Sequence, residues 1–310
     1  MQSRDNRLGL MFRCCHPVLA REDQVALTLN ILGGLTPPEI AKAFLSTEAQ
    51  VSERLELARR QLENTDLSSE APSDLVERVP AVRTVIYLMF NEGYLASMHD
   101  ELHRPDRCTE ALQLGRQLCE VLPREPESLG LLALLLLQDS RRDARIRDGQ
   151  LITLEGQDRS LWDPIEISEG LGLVEAALRS GPVGPYQLQA AIAAVHAEAK
   201  TAAETDWRQI AALYEKLLEI NPSSVVALNQ AVAIAMADGH EAGLKQIDAI
   251  GSSGELDGYH LFHAARADLL RRMERFYEAA DAYRQAIALA TNRTERDFLT
   301  QRLNDVIKRA

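Results

Sequence analysis

The sequence predicts an all-α chain in two parts. A small unit with a short helix, a tight turn and a longer helix comes first, and a long array of helical hairpins follows. Three observations carry this reading. Apolar residues recur at helical spacing from Val25 to Leu32 and stop at the double glycine Gly33-Gly34. Thr36, followed by Pro37, Pro38 and Glu39, has the chemistry of a helix start, and Thr47 or Ser46 can cap the next helix. Further on, IAALYEKLLEINP (Ile210 to Pro222) and EAADAYRQAIALA (Glu278 to Ala290) place Tyr214 and Tyr283 69 residues apart. That is close to two repeat periods of about 34 residues.

Composition bounds the rest. A chain of 310 residues with 46% hydrophobic content can build sizeable cores, and two domains are the default at this length. Net charge is −12, which argues against a general nucleic-acid binder. The charge is unevenly placed: Met1 to Asn64 carries eight Lys/Arg and eight Asp/Glu, so all the excess acid lies behind it. The expected division is a helix-turn-helix domain over 1–64, a linker over 65–74 (within the Ser, Asp, Asn and Pro-rich NTDLSSEAPSD), and a helical repeat domain over 75–310, clearest at 186–292. Arg4, Arg7 and Arg13 interrupt the first apolar stretch, and Leu129 to Leu137 is too short to span a bilayer. A cytoplasmic protein with no membrane partner is expected. Four cysteines in a chain of this size do not suggest a disulfide framework.

In chain order, Cys14-Cys15-His16 has the residue types of a metal site, but neighbouring cysteines on a helix point apart and no second ligand pair follows. Core packing is the expectation, with Pro17 ending the helix. The second helix runs from Pro38 to Phe44. A connection of Leu45, Ser46 and Thr47 leads to a third helix from Glu48 to Leu62, with Ile40, Ala41, Phe44, Val51, Leu55 and Ala58 as the buried corner. This is the pattern of a helix-turn-helix, whose second helix enters the major groove; an ordinary helical hairpin has the same spacing. The candidate DNA-binding residues are Thr47, Gln50, Ser52, Arg54, Arg59 and Arg60. Gln50 suits adenine, and Arg54 or Arg59 suits guanine or phosphate. Glu53 and Glu56 oppose phosphate.

Val76 to Ala96 is apolar and includes Asn91, Glu92 and Gly93, where the glycine either ends a helix or admits close packing. Arg107 to Leu122 and Pro126 to Gln138 read as a helical hairpin. Gln138 to Asp163 is the least helical stretch. It has turn chemistry at Arg147-Asp148-Gly149-Gln150, an extended piece at Leu151 to Leu154, and a concentration of charge. Asn91, Glu92, Arg141, Arg142, Asp158, Arg159, Trp162 and Asp163 form a candidate regulatory or ion-pair cluster. Two readings stand: a pocket for acid–base work or an anionic ligand, or an ion-pair network clamping a loop across the array. No catalytic motif, cofactor or metal site is expected; His260 and His263 share a helical spacing but lack a third ligand. Small residues at Ala227, Ala231, Ala235, Ala242, Ala279 and Ala286 would let helices approach closely. Tyr259, Phe262, Phe276, Tyr277 and Tyr283 read as repeat core.

The segment GGLTPPEIAKAFLSTEAQVSERLELARRQL (33–62) resembles region 4 of extracytoplasmic-function sigma factors of the sigma-70 family, where G-x-[ST]-x-x-E-I-A precedes the recognition helix. RLGLMFRCCHPVLAREDQVALTL (7–29) is similar to the lead-in of one subgroup, in which C-C-H-P serves as packing. YLMFNEGY (87–94) and DRSLWD (158–163) match that subgroup's long extension, which is related to tetratricopeptide repeats. The resemblance implies a transcription-initiation protein whose region 4 meets promoter DNA and the RNA polymerase core, with a repeat domain that regulates it through an unknown protein partner or the sigma core. Typical members carry Arg-Ala-[Lys/Arg] near the end of the recognition helix, where this chain has Leu57-Ala58-Arg59. Region 2, which precedes region 4 in this family and melts the promoter, is expected to be missing. Either the sequence is an incomplete reading of a longer gene, or the protein cannot initiate transcription alone. The alternative is an interaction scaffold with a vestigial helix-turn-helix.

Overall fold

The computed structural model describes residues 7–44, 46–65, 72–96 and 107–310. It is all-α, with 77% of the described residues helical when short 3-10 turns are included. Among the described residues there are fifteen α-helices and one two-stranded hairpin. None of these helices is long and apolar enough to cross a membrane. Helices α1–α6 make one compact unit and α7–α15 another.

The first unit holds α1 (Arg7–Cys14), α2 (Arg21–Ile31), α3 (Pro37–Ala43), α4 (Glu48–Glu63), α5 (Pro72–Ala96) and α6 (Arg107–Val121). Local chemistry sets the boundaries. Glu22 and Asp23 sit in the first turn of α2, at the positive end of its dipole. Gly34, at φ +62°, turns the chain out of α2 in a left-handed conformation that a β-carbon would strain. At α3 the Glu39 carboxylate accepts from the Thr36 N–H at 2.7 Å and from its hydroxyl at 2.9 Å. Thr47 caps α4, accepting from the Gln50 N–H at 3.3 Å, while Gln50 Oε1 accepts from the Thr47 N–H at 3.1 Å. The expected corner is present: Ile40, Ala41, Val51, Leu55 and Ala58 are buried and Phe44 is half-buried. Leu45 of the expected connection lies outside the described residues.

Of the expected linker, residues 66–71 lie outside the described residues, and α5 is already helical at Pro72. The first unit runs past residue 64, because α5 packs on α1 and α2 and α6 packs on α5. Gly93 does not end a helix. A β-carbon there would lie 2.8 Å from the Cys108 backbone nitrogen, so glycine is what lets α5 and α6 touch. The buried Arg78 guanidinium donates to the Phe12 carbonyl at 2.9 Å. Cys15 is fully buried beside the Thr28 hydroxyl, and burial pushes its thiol up to about 12. Cys108 is buried too, while Cys14 and Cys119 are half-buried; all four are free thiols.

The second unit begins with α7 (Pro126–Asp139), whose LGLLALLLL run is covered by α8 (Pro164–Arg179) and α9 (Pro185–Glu198). Both helices of the stretch read as a hairpin, 107–122 and 126–138, form; α6 packs on α5 within the first unit, and α7 packs on α8 and α9 within the second. Between α7 and α8, β1 (Ile146–Arg147) pairs antiparallel with β2 (Gln150–Leu151). The Asp148-Gly149 turn has φ +53° and +73°, the mirror-image turn that suits hairpins.

Next come α10 (Trp207–Ile220), α11 (Ser224–Asp238), α12 (His240–Gly251), α13 (His260–Arg272), α14 (Phe276–Leu289) and α15 (Arg293–Ile307), each packed on the next. One core joins Leu228, Leu244, Phe262, Leu270, Tyr283 and Leu299. Ala231, Ala235, Ala279 and Ala286 are buried as expected, but Ala242 is exposed. Its neighbour Gly243 takes the close contact, where a β-carbon would lie 2.3 Å from Ala235 Cβ. Tyr277 is likewise not core; it is 75% exposed and donates to the Ala310 carbonyl at 3.0 Å.

Candidate functional site

At α4, five of the six expected DNA-binding side chains have partners within the protein. Thr47 and Gln50 are tied together by the cap, and the Ser46 hydroxyl adds a third bond to Gln50 Oε1 at 2.9 Å. Ser52 is half-buried. Arg54 pairs with Glu22 and, at 3.3 Å, with Asp23, both on α2. Arg59 donates to Asn30 Oδ1 at 2.5 Å, and Arg60 lies 3.6 Å from Glu56. These contacts are at the surface, where each contributes about 0–1 kcal/mol and can be exchanged for a phosphate. A groove of about 700 Å³ beside α4 is lined by Arg21, Phe44, Gln50, Val51 and Arg54.

The second expected cluster divides between the units. Asn91 and Glu92 are half-buried on α5 in the first unit; the others lie in the second. There the two aspartates act as caps. Asp163 opens α8 by accepting from the N–H groups of Ile165 at 2.7 Å and Glu166 at 3.2 Å. Asp158 accepts from the Ser160 hydroxyl at 2.7 Å and N–H at 3.0 Å, and these bonds hold its carboxyl below the usual carboxylate range. Arg142 forks onto Asp139, with contacts of 2.8 to 3.0 Å. Trp162 is buried, with the Arg159 guanidinium 4.6 Å and that of Arg141 5.8 Å from its ring centre. Arg159 also donates to the main-chain carbonyls of His196, at 2.5 Å, and Ala199.

The loop bearing these residues reaches the far helices of its unit. β2 packs on α15, and Glu155 pairs with Arg272 of α13 at 2.5 Å. Under it lies a cavity of about 700 Å³, within the range of small-molecule sites. Glu155 and Arg159 of the loop, His196 of α9, Trp207 of α10 and Tyr283 of α14 contribute to its wall, together with Asp268, Arg271 and Arg272 of α13 and Arg302 of α15. Asp268 is held by Arg272 at 2.6 Å and Arg271 at 2.6 Å. Burial pushes its carboxyl upward, but these bonds outweigh that and leave it lowered. Burial, aided by the charges of Arg141 and Arg159, drops His196 to about 4, so its imidazole is neutral at pH 7. Burial raises Tyr283 to about 12. Four guanidiniums thus meet two carboxylates, and Arg159 and Arg302 have no carboxylate within ion-pair distance among the described residues.

Of this wall, sequence reasoning singled out only Arg159 as a candidate site residue. Tyr283 was legible as core, and Asp268-Leu269-Leu270-Arg271-Arg272 has the spacing of a helical ion pair, a signal that does not point to a cavity.

Comparison with known proteins gives the chain relatives. It is 43% identical over 304 residues to "Uncharacterized protein R00370" of Rhizobium meliloti (strain 1021), an alignment covering 97% of this chain and 71% of that protein. Residues 78–178 match the model of a family described as "Family of unknown function (DUF6596)". The chain belongs to the same family as that Rhizobium meliloti protein. The DUF6596 match runs from Arg78 in α5 to Leu178 in α8, and so takes in the whole loop with Glu155, Arg159 and Trp162. The α4 residues and the part of the cavity wall built by α9–α15 lie outside the DUF6596 match.

Proposed function

We propose that the chain is an RNA polymerase sigma factor-like protein acting in transcription initiation. In this reading α3 and α4 are a helix-turn-helix of the region 4 type, contacting promoter DNA and the polymerase core. The helices from α9 onward form a tetratricopeptide-like array that regulates this activity through a protein partner in the cytoplasm. The observation that carries the reading is the α3–α4 corner: two short-linked, separately capped helices sharing Ile40, Ala41, Val51, Leu55 and Ala58. It leaves Gln50, Arg59 and Arg60 on exposed positions of the longer helix. Support for the array is the order of packing, in which each helix from α9 to α15 lies on its successor, and Tyr214 and Tyr283 occupy α10 and α14.

The test is DNA affinity over a salt series, using duplexes enriched from a random pool by the protein itself. Arg54→Ala combined with Arg59→Ala should weaken binding and lower the salt slope by about 2, one for each phosphate-directed cation. A double variant with unchanged affinity and slope would remove α4 from the interface.

A second reading has its own observation. Arg54 is held by Glu22 and Asp23, and Glu48, Glu53 and Glu56 share α4 with it. An interaction scaffold with a vestigial helix-turn-helix would look like this. It is the better reading if no duplex binds even at low salt.

A further inference from the structure

We propose that the cavity beneath the α7–α8 loop binds a small organic anion with an apolar body, such as an alkyl or aryl carboxylate or phosphate ester. The proposal is independent of the DNA reading, since every wall residue belongs to the second unit.

Charge is the first argument. Arg271 and Arg272 are neutralised by Asp268 and Glu155. Arg302 is not: its guanidinium lies 5.1 Å from the Phe298 ring centre and no carboxylate is in reach among the described residues. Arg159 spends its Nη1 on two carbonyls and its face on Trp162, which fixes its position; the Glu204 carboxylate acts on it only from beyond ion-pair distance. Two partly exposed guanidiniums with no carboxylate in direct contact, at the edge of a largely apolar cavity, are placed to receive an anion by charge-assisted hydrogen bonds. His196 is neutral, so it adds no charge that a ligand must match.

Shape is the second argument. Between the cations the wall is apolar, with Val232, Met236, Ala265 and Leu299 on three helices. A bare inorganic ion would leave that wall wet, whereas a ligand with an apolar body would cover it. The Glu155–Arg272 pair closes one side, so the loop is part of the site.

The chain reports on this place itself. It has two tryptophans, Trp162 stacked on Arg159 and Trp207 in the wall. The experiment is a titration of the full chain, followed by tryptophan emission and calorimetry, with octanoate and octyl phosphate below their micelle concentrations. Octanol, inorganic phosphate and an acidic pentapeptide with a free C-terminus serve as comparisons. Saturable 1:1 binding of octanoate or octyl phosphate is expected, weakened at least tenfold by Arg302→Gln, while Arg284→Gln on the outer side of α14 leaves it unchanged. Octanol and inorganic phosphate should each bind at least tenfold more weakly. Binding that Arg302→Gln does not alter, or no saturable binding by folded protein, would overturn the proposal. So would a pentapeptide that binds more tightly than both alkyl anions and displaces them, since the site would then receive a chain terminus.

Discussion

The arginines of α4 and those of the second unit's cavity differ in what the protein itself supplies to them. In the helix-turn-helix proposed above, Arg54 and Arg59 are DNA-facing residues, yet Glu22, Asp23 and Asn30 of α2 already meet them. Arg302 lies in no recognised motif and Arg159 in DRSLWD, yet among the described residues no carboxylate is within ion-pair distance of either. Residue type and exposure show where charge is; only the fold shows whether it is spare. For a polyanion, α4 must exchange existing contacts, so any affinity there is a difference between two sets of ion pairs. For a small anion, the cavity gives up nothing of the kind.

The scaffold offers the largest break in this comparison. Gly243→Val places a side chain where even Cβ would lie 2.3 Å from Ala235 Cβ and 2.5 Å from the Ala231 carbonyl oxygen. The overpacking should cost about 3 kcal/mol. It should push α12 off α11, where Val232 and Met236 contribute to the cavity wall. A thermal melt that matches the parent protein would refute the α11–α12 packing.

Acid comes next. The unfolded-chain value for histidine is about 6.5, whereas folded His196 lies at about 4. The unfolded chain therefore takes the proton first. The penalty is absent above pH 6.5 and grows as pH falls toward 4, where it reaches about 3 kcal/mol. His196→Gln should flatten denaturant-measured stability across that window; an unchanged pH profile would mean that His196 is not buried.

A smaller effect tests α4 from the other side. Glu22→Gln with Asp23→Asn frees Arg54, and DNA affinity should rise several-fold, on the order of 1 kcal/mol. A fall in affinity would show that these carboxylates present Arg54 correctly rather than withhold it. Smallest of all, Glu155→Gln removes one partly exposed ion pair and should cost about 0.5 kcal/mol. Its readout is faster amide exchange across 153–156, with no change expected at α12.

What was legible in the sequence was what is local. Thr47 and Gln50 stand three residues apart, so their reciprocal cap shows in the residue order. The Ile40 to Ala58 corner follows from helical spacing, and Asp148-Gly149 announces its turn. The pairing of Arg54 is set by residues 31 and 32 positions earlier, and no periodicity reports it. The cavity is harder still, since Glu155 and Arg272 are 117 residues apart. The charge in 138–163 was visible, but Asp158 and Asp163 look the same in a sequence whether they cap helices or pair with arginine. Ala242 and Gly243 differ by one position, and only the helix's rotation decides which faces α11.

The loop that leaves α7 and lays β2 on α15 has a mechanical consequence. A row of stacked helices behaves like a coil spring, stiff from turn to turn yet free to wind or unwind along its length. Here an early turn is pinned to the last by β2 and, one helix pair before the end, by Glu155 on Arg272. The pitch cannot change without parting those joints. Within this unit, α13 and α15 cannot draw away from the loop after α7 unless those two joints part.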